Sequence, residues 1–341
     1  MSHLILMYSD LHLRDERKDD CALALDKVLE TALRVQDKTK REVRLLNGGD
    51  TFNTRGLIRT SCFDVFYKKC VAMHKAGLKK VILVGNHDQE DKAGEIHPMN
   101  VFNEWKGWNV VDKPTVLPEY GTNIFFPYMS VAAIQRFFDT DESGVKWKGW
   151  DAFVHWGVRG AKRNDSNVDS DGVPVELLKR FRSVWSGHYH YRSVYQNVHY
   201  IGSPFQQNFG EMGQEKGLML FDPKTAKSTF IELKGLPKHY EITIEDGEVD
   251  GASDFDSKDF LRVVVKGDSE TAAKITHGWV AERFKAADVK IERQVTDKHY
   301  SRLNIKSEEI FDSEAIMSKY VDYVNTALDK SKLLEVGREL I

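Results

Sequence analysis

The sequence has little of what would indicate a secreted or membrane-bound protein. Only three cysteines, Cys21, Cys62 and Cys70, occur in 341 residues, without a CxxC pair or an even-numbered set. We therefore expect no disulfide framework and a reducing, cytoplasmic compartment, the host cytoplasm if a phage encodes the chain. Long apolar runs are also missing. The stretch Leu4–Tyr8 is too short for a signal-peptide core or a membrane span and is soon followed by Asp10.

A strong net charge is missing as well. The chain has 49 Lys and Arg residues against 52 Asp and Glu residues, a formal net charge of −3. The molecule as a whole therefore has no general attraction for nucleic acid or for an anionic membrane, and local patches or metal ions must hold any polyanion. The sequence does contain enough hydrophobic residues for a sizeable core. They make up 41% of the chain, which is typical of a globular protein.

The first ninety residues repeat a strand–loop–helix pattern. Apolar strands are predicted at Leu4–Tyr8, Val43–Leu46 and Val81–Val84, and apolar spacing predicts helices over about 22–35 and 61–75. This order indicates parallel strands, right-handed crossovers and helices that cover the sheet. Binding groups in such sheets collect at the carboxyl ends of the strands.

The remainder of the chain predicts shorter strands and a separate unit. A sandwich of two mixed sheets with helices outside accommodates the pattern up to a boundary near Gly235, which divides the chain into residues 1–235, 236–300 and 301–341. The middle part predicts a compact α+β unit, and amphipathic spacing near the end predicts a helix pair. Further strands are predicted at 123–126, 151–155 and 184–186, strands of a second sheet at 198–201, 218–221 and 229–233, later strands at 240–244, 260–266 and 289–293, and helices at 131–138 and 272–284.

Side chains that bind metals or move protons follow five of the predicted strands. In an extended chain, residues i and i+2 lie on the same side, so Asp-x-His and His-x-His can present two ligands together. Oxygen and imidazole ligands in this mixture suit Mn²⁺, Fe²⁺ or Zn²⁺ better than Ca²⁺. The predicted metal ligands are Asp10, His12, Asp50, Asn86, His155, His188 and His190.

This set is large enough for two ions. Two ions about 3.5–4 Å apart need a shared carboxylate, and Asp50 is the predicted bridge because it comes alone after the middle strand. An ion pair of this kind activates water and neutralises phosphate oxygens, which is the chemistry of phosphate-ester hydrolysis. His87 is the predicted proton-transfer or phosphate-stabilising group, and Asp88 is the predicted partner that fixes its tautomer.

Each of these residues also has a simpler explanation. Asp10 could cap a helix, His155 could be a core histidine, and His188 and His190 could be surface residues at a strand end. Their shared position after apolar strands favours one common site over these separate explanations.

A second, weaker signal is a basic loop directly after His155. Arg159, Lys162 and Arg163 are predicted to contact phosphate, because basic side chains beside a metal site attract a polyanion. A solvated loop explains the same residues equally well.

These motifs resemble those of the calcineurin-like metallophosphoesterases. Within that superfamily the sequence resembles the SbcD-type nucleases (the meiotic-recombination nuclease family), and most of all their phage members. Thr51-Phe52 follows Asp50 as in these nucleases. Tyr200-Ile201-Gly202-Ser203-Pro204, followed by Phe209-Gly210-Glu211, resembles the segment that closes the family's active site. The motifs that carry the resemblance are Asp10-Leu11-His12, Gly49-Asp50, Gly85-Asn86-His87-Asp88, His155 and Gly187-His188-Tyr189-His190.

The resemblance implies a fold and an assignment of site residues. The fold is α+β, a four-layer α/β/β/α sandwich with a small α+β capping domain and a C-terminal helix pair. Two residues depart from the family pattern, since many members have Gly at Arg14 and Asp or His at Asn53. The resemblance implies one ion at Asp10, His12, Asp50 and His190, a second at Asp50, Asn86, His155 and His188, and His87 as the catalytic histidine.

The resemblance also implies an activity and partners. Such nucleases act in double-strand-break repair and recombination, cutting duplex ends 3′→5′ and opening single strands, usually with Mn²⁺ and alternatively with Mg²⁺. They work as homodimers bound to an SbcC-type coiled-coil ATPase. By analogy residues 308–341 bind the ATPase, and helices near 58–76 and 98–105 form the dimer. Two other interpretations remain: a phosphoesterase of small phosphodiesters or phosphomonoesters, and a non-catalytic scaffold.

Overall fold

The structure, a computed structural model, describes residues 3–91, 94–140, 145–164, 166–245, 248–251, 255, 257–286, 288–295, 317, 320, 321 and 332. The chain divides into two compact units, Met1–Lys238 and His239–Ile341. Among the described residues, no helix is long and apolar enough to cross a membrane. The helix pair predicted for 301–341 lies outside the described residues, apart from four isolated positions, and stays a prediction.

The first unit alternates strands and helices, as the apolar periodicity predicts. Among its described residues, short 3₁₀ turns also occur in the loops, at Asp15–Arg17, Pro98–Phe102, Pro118–Tyr120 and Phe209–Glu211. The elements in chain order are β1 (Leu4–Tyr8), α1 (Lys18–Thr39), β2 (Val43–Asn47), α2 (Thr60–Lys75), β3 (Lys80–Leu83), β4 (Trp108–Val111), β5 (Thr115–Val116), β6 (Asn123–Phe125), α3 (Val131–Asp139), β7 (Asp151–Val154), α4 (Val175–Leu178), β8 (Ser183–Ser186), β9 (Ser193–Tyr195), β10 (Val198–Tyr200), β11 (Gly217–Asp222) and β12 (Lys227–Glu232).

These strands form two sheets. The first has the order β12-β11-β1-β2-β3-β4 and the second has the order β5-β6-β7-β8-β10-β9. Strands β1 to β4 are parallel in the first sheet, and β6, β7, β8 and β10 are parallel in the second. Antiparallel strands complete the edges.

One part of the strand assignment was wrong. The strands predicted at 218–221 and 229–233 belong to the first sheet, because β11 pairs antiparallel with β1, with Leu6 opposite Leu220. Only β10 of the three strands assigned to the second sheet lies there. Alternating apolar residues show that a segment is a half-buried strand, but they do not identify the sheet edge that it joins.

Alternation along β1 shows how the layers are built. Successive side chains of a strand point to opposite faces. Leu4, Leu6 and Tyr8 pack with the apolar stripe of α1 and with α2, whereas Ile5 and Met7 pack against the second sheet. The core between the sheets comprises Ile5, Met7, Leu46, Val81, Leu83, Val111, Leu117, Tyr120, Phe125, Phe153, Trp185, Ile201 and Phe221.

The second sheet buries its outer face under helices in the same way. Ile124 and Val154 pack with Ile134 of α3 and Leu178 of α4. The first unit is therefore a helix–sheet–sheet–helix sandwich, as predicted.

The second unit is a smaller α+β structure with its own core. Its sheet has the order β14-β13-β15-β16, and β13, β15 and β16 are parallel. The single helix predicted over 272–284 is two helices, because the Thr276 side chain accepts a hydrogen bond from the Trp279 amide and starts a new helix. The elements are β13 (His239–Glu245), β14 (Glu248–Gly251), β15 (Phe260–Gly267), α5 (Ser269–Lys274), α6 (His277–Arg283) and β16 (Asp288–Val295).

Candidate metal centre

Five loops of the first unit bring the predicted ligands to one place. Each loop follows the carboxyl end of a parallel strand, namely β1, β2, β3, β7 or β8. Ligand atoms within 4.8 Å of one another form three overlapping groups: Asp10, His12 and His190; His12, Asp50 and His87; and Asp50, His155 and His188.

The backbone at four of these residues is in a sparsely populated conformation. Asp10, His12, Asp50 and His188 have φ values of 56°, 46°, 51° and 83°, which is the left-handed region that non-glycine residues seldom adopt. Such strain persists only where surrounding contacts hold it. Here the Asp10 amide donates to the Gly49 carbonyl, and the His12 amide donates to the Asp50 carbonyl, both at 3.0 Å.

The Asp50 carboxylate lies at the centre of the cluster. Its Oδ2 is 3.7 Å from His12 Nε2 and 3.2 Å from His155 Nε2, whereas its Oδ1 accepts a hydrogen bond of 2.8 Å from the His87 amide. One oxygen therefore faces both histidine groups, which is the position that a bridging ligand needs.

A glycine makes room for this carboxylate. A Cβ atom added at Gly85 would collide with the amide nitrogen and Oδ1 of Asp50. Gly85 is the first residue of the Gly-Asn-His-Asp motif. The loops after β2 and β3 approach each other so closely there that only glycine fits, which explains why the motif begins with it.

Hydrogen bonds fix the orientation of two histidine rings. Nδ1 of His155 lies 2.6 Å from the Gly48 carbonyl oxygen, and Nδ1 of His190 lies 2.7 Å from Oε1 of Glu211. A carbonyl or carboxylate oxygen only accepts, so each Nδ1 carries a proton and each ring can bind a metal through Nε2 when that nitrogen is deprotonated.

His188 and Asn86 face each other across the other side of the cluster. Nδ1 of His188 lies 3.0 Å from Oδ1 of Asn86, and the His188 amide donates to both carboxylate oxygens of Asp10, at 3.0 and 3.1 Å. The loop after β8 is thereby tied to the loop after β1.

The partner of His87 differs from the prediction. Asp88 does not orient the His87 ring, because its carboxylate accepts from the amides of Phe52 and Gly85, each at 3.0 Å. The His87 Nδ1 instead donates to the Asn53 carbonyl oxygen at 2.7 Å. A backbone carbonyl is available from any residue, so no side-chain signal at Asn53 could have identified it.

Burial and mutual charge shift the pKa values of the cluster. Burial, together with the neighbouring histidines, lowers the pKa of His12 and of His188 to about 3. Burial alone would lower the pKa of His155, but the Asp50 carboxylate raises it to about 9. Burial alone would raise the pKa of Asp50, but His155 and His12 hold it below its usual range. The centre thus favours a positive charge beside an ionised Asp50.

The donor set fits divalent metal ions. Carboxylate oxygens, an amide oxygen and imidazole nitrogens are suitable for Mn²⁺, Fe²⁺ or Zn²⁺. The buried Nε2 of His155 faces the Asp50 carboxylate oxygen at 3.2 Å, a distance and direction that a cation between the two atoms can use. Nε2 of His12 lies 3.7 Å from the same oxygen, so a divalent cation would balance the buried carboxylate charge and take both nitrogens as ligands.

The basic loop after β7 reaches the centre through one residue. Arg163 lines a cavity together with His188 and His190, whereas Arg159 and Lys162 are exposed outside that lining. The Arg163 guanidinium is half exposed and pairs with the buried Asp169 at 2.9 Å. The structure therefore brings only Arg163 of the three to the mouth of the site.

Three polar residues outside the predicted ligand set contact the ligand loops. Gln207 donates to the carbonyls of Asp10 and Leu11, at 3.3 and 3.1 Å, and Lys216 donates to the His190 carbonyl at 2.7 Å. Glu211 contacts the His190 ring. In the sequence, only the resemblance of the segment around Phe209–Glu211 to one that closes the family's active site pointed to these residues.

A sheet sandwich with carboxylates and histidines gathered at its strand ends defines a metal-dependent phosphoester hydrolase. The chain belongs to the family described as calcineurin-like phosphoesterase, whose model matches residues 3–192. This result confirms the resemblance seen in the motifs and the metallophosphoesterase fold.

Two relatives indicate where in the family the chain lies. It is 28% identical over 190 residues to Exonuclease subunit 1 of Enterobacteria phage T4, a match that covers 54% of this chain and 54% of that protein. The chain thus spans about half the length of that relative. It is also 26% identical over 251 residues to Putative phosphoesterase 244L of Invertebrate iridescent virus 6, which covers 70% of this chain and 83% of that protein.

Gly85→Ala should separate metal binding from folding. The added Cβ displaces Asp50, so we expect bound Mn²⁺ per chain, measured by elemental analysis after desalting, to fall well below the wild-type value. Gly77→Ala is the matched control, because Gly77 has φ of +76° with no atom within 4 Å of an added Cβ. It should lose about 1–2 kcal/mol of stability and retain its metal. Wild-type metal content in Gly85→Ala would contradict the packing argument.

Proposed function

We propose that the chain is the nuclease subunit of a DNA repair or recombination complex and hydrolyses DNA phosphodiesters with two Mn²⁺ ions. The observation that carries the proposal is the position of Asp50, with one carboxylate oxygen between His12 and His155. The similarity to a phage exonuclease subunit supports DNA as the substrate. Family membership alone supports only phosphoester hydrolysis.

The proposed ligands form two sets that share Asp50. Asp10, His12 and His190 hold one ion, and Asn86, His155 and His188 hold the other. When bound, such ions supply an activated water and neutralise the charge that develops on the phosphate. The chain's part is to fix the ligands, which the strained backbone positions and the ring hydrogen bonds achieve before substrate arrives.

His87 is the proposed proton-transfer residue. The Asn53 carbonyl holds its Nδ1–H, so Nε2 faces the cluster, and its ring packs edge-on against His12 with centroids 4.8 Å apart. In its protonated form Nε2–H can donate to the departing oxygen of the cleaved strand or to a phosphate oxygen. His87 also lies within ligand distance of His12 and Asp50, so metal content distinguishes its two roles.

Arg163 is the proposed phosphate contact at the mouth of the site. Arg163 lines the same cavity as His188 and His190, and its side chain remains half exposed although it pairs with Asp169. A positive charge there attracts the strand next to the phosphate that is cut. Arg159 and Lys162 would act further out, as exposed charges of the same loop.

The proposed partners are an SbcC-type coiled-coil ATPase and a second copy of the chain. The name of the phage T4 relative describes a subunit, which supports a complex. Helix α2 and the turn Pro98–Phe102 are the proposed dimer contact, and the exposed Leu57, Tyr67 and Val101 lie on or beside them. Residues 308–341 are the proposed ATPase contact.

Digestion of DNA tests the proposed substrate. With Mn²⁺, the chain should shorten 5′-end-labelled duplex and cut circular single-stranded DNA, and chelation with EDTA should stop both reactions. Asp50→Asn is the inactive control, because it removes the charge that both ion sets share. Hydrolysis of bis-(p-nitrophenyl) phosphate without cleavage of either DNA would favour the alternative, a phosphoesterase of small phosphodiesters or phosphomonoesters.

His87→Ala should retain both metal ions and lose turnover. We expect the cleavage rate at saturating Mn²⁺ to fall by about 10²–10⁴-fold, the usual contribution of a proton-transfer group. Metal content should equal that of His277→Ala, a control at an exposed histidine of the second unit. If metal content falls together with activity, His87 is a ligand and the proposed role is wrong.

Deletion of residues 308–341 should separate the partners. The shortened chain should no longer co-purify with the ATPase subunit, while its Mn²⁺-dependent cleavage and its dimeric mass, measured by light scattering, remain those of the full chain. Co-purification of the ATPase with the shortened chain would place the interface elsewhere.

A further inference from the structure

The segment that joins the second sheet to the first, residues 203–216, contacts two of the ligand loops. We name it the closing segment. On one side, the Gln207 side chain donates to the backbone carbonyls of Asp10 and Leu11. On the other side, Lys216 and Glu211 contact the backbone and the ring of His190. Both loops carry members of the same ion group.

Glu211 is the member of the closing segment that contacts a ligand ring. Its side chain is 8% exposed, and its Oε1 accepts a hydrogen bond of 2.7 Å from Nδ1–H of His190. Its Oε2 lies 2.7 Å from Nζ of Lys216 and accepts from the Gln207 amide at 3.0 Å. With both oxygens engaged, the carboxylate has little freedom to turn away from the histidine.

Lys216 fixes this carboxylate and the loop beyond it. Its Nζ is buried and donates to the His190 carbonyl at 2.7 Å and to the Ser203 hydroxyl at 3.0 Å, in addition to its ion pair with Glu211. The backbone and the ring of His190 are therefore held by two oppositely charged side chains that also hold each other. A buried pair with this many hydrogen bonds retains its geometry.

The other ion group is positioned without the closing segment. The His155 ring donates to the Gly48 carbonyl, and His188 faces Asn86. Gly48 follows β2, and Asn86 follows β3, so these contacts come from the sheet itself. The two ion sets thus differ in what orients their histidines: a buried carboxylate for His190 and a backbone carbonyl for His155.

We propose that Glu211, fixed by Lys216, is a positioning residue that sets the affinity of the ion held by Asp10, His12 and His190. This inference rests on the two-ion site proposed above. A carboxylate on Nδ1 selects the tautomer with Nε2 free, fixes the ring plane and makes Nε2 a stronger donor to a cation. Loss of such a partner lowers metal affinity by about 10–100-fold. The ion held by His155 and His188 depends on other contacts and keeps its affinity.

The test is a Mn²⁺ titration of the full chain with the metal removed beforehand. Calorimetry gives the affinities of the two ions, and electron paramagnetic resonance shows whether two Mn²⁺ ions are spin-coupled neighbours. Glu211→Gln keeps the side-chain shape and an acceptor oxygen but loses the charge, whereas Glu211→Ala loses the acceptor. Glu215→Gln is the matched control, because Glu215 is four residues away and pairs with Arg192 at the surface.

The expected result is selective and graded. One of the two affinities should fall by about tenfold in Glu211→Gln and by up to about a hundredfold in Glu211→Ala. At limiting Mn²⁺ both variants should show the signal of an isolated ion where wild type and Glu215→Gln show a coupled pair. The unfolding temperature in EDTA should fall in both variants, because loss of the Glu211 charge leaves the buried Lys216 without its counter-charge. A selective loss of one affinity, and not the change in stability, is therefore the diagnostic readout.

Three other outcomes have distinct meanings. Unchanged affinities for both ions in Glu211→Ala overturn the positioning role. Loss of both ions overturns it as well, since Glu211 would then be a structural residue. If wild type itself binds fewer than two ions, the two-ion site fails, and that failure is visible before any variant is compared.

Discussion

The structure of the centre depends on the electrostatics of one buried carboxylate. Asp50 is almost fully buried, yet His155 and His12 keep it ionised at the end of β2. A buried anion is stable only beside positive charge, and here that charge is a proton shared with His155 or a bound cation. In the proposed two-ion site, the same residue would organise the metal-free protein and bridge the two ions of the loaded one. Metal uptake would then release the proton that occupies the place of the ion.

Sheet geometry explains how distant residues reach this carboxylate. Five parallel strands from the two sheets, β1, β2, β3, β7 and β8, supply one or two ligands each from the loops that follow them. The residues with positive φ change the direction of the chain directly after the strands. This change of direction points the ligand side chains toward the centre. Hydrogen bonds between loops, such as that from the His188 amide to Asp10, hold this arrangement. The rigid sandwich core absorbs the strain that the loops carry.

Much of this could be predicted from sequence, because the signals are local. Short apolar runs located β1, β2 and β3, and the ligand-type residues after those runs identified the cluster around Asp50. What failed was non-local or backbone-mediated: the pairing of β11 with β1, and the Asn53 carbonyl that replaces Asp88 as the partner of His87. Glu211 lies in a loop 21 residues after His190, so only the folded chain shows that the two side chains are in contact. The roles of the site residues, the ATPase partner and the dimer stay predictions.

The origin of the ligands has a mechanical consequence. Asp10, Asp50 and Asn86 come from the first sheet, whereas His155, His188 and His190 come from the second, so each cation would be chelated by both halves of the sandwich. Each ion would connect the two sheets, so the sheets could separate only after the ion is released. A ligand present at a hundred times its dissociation constant adds about 2.7 kcal/mol to the native state. The metal ions that enable hydrolysis would therefore also stabilise the fold, and their removal would lower the stability of the enzyme as well as its activity.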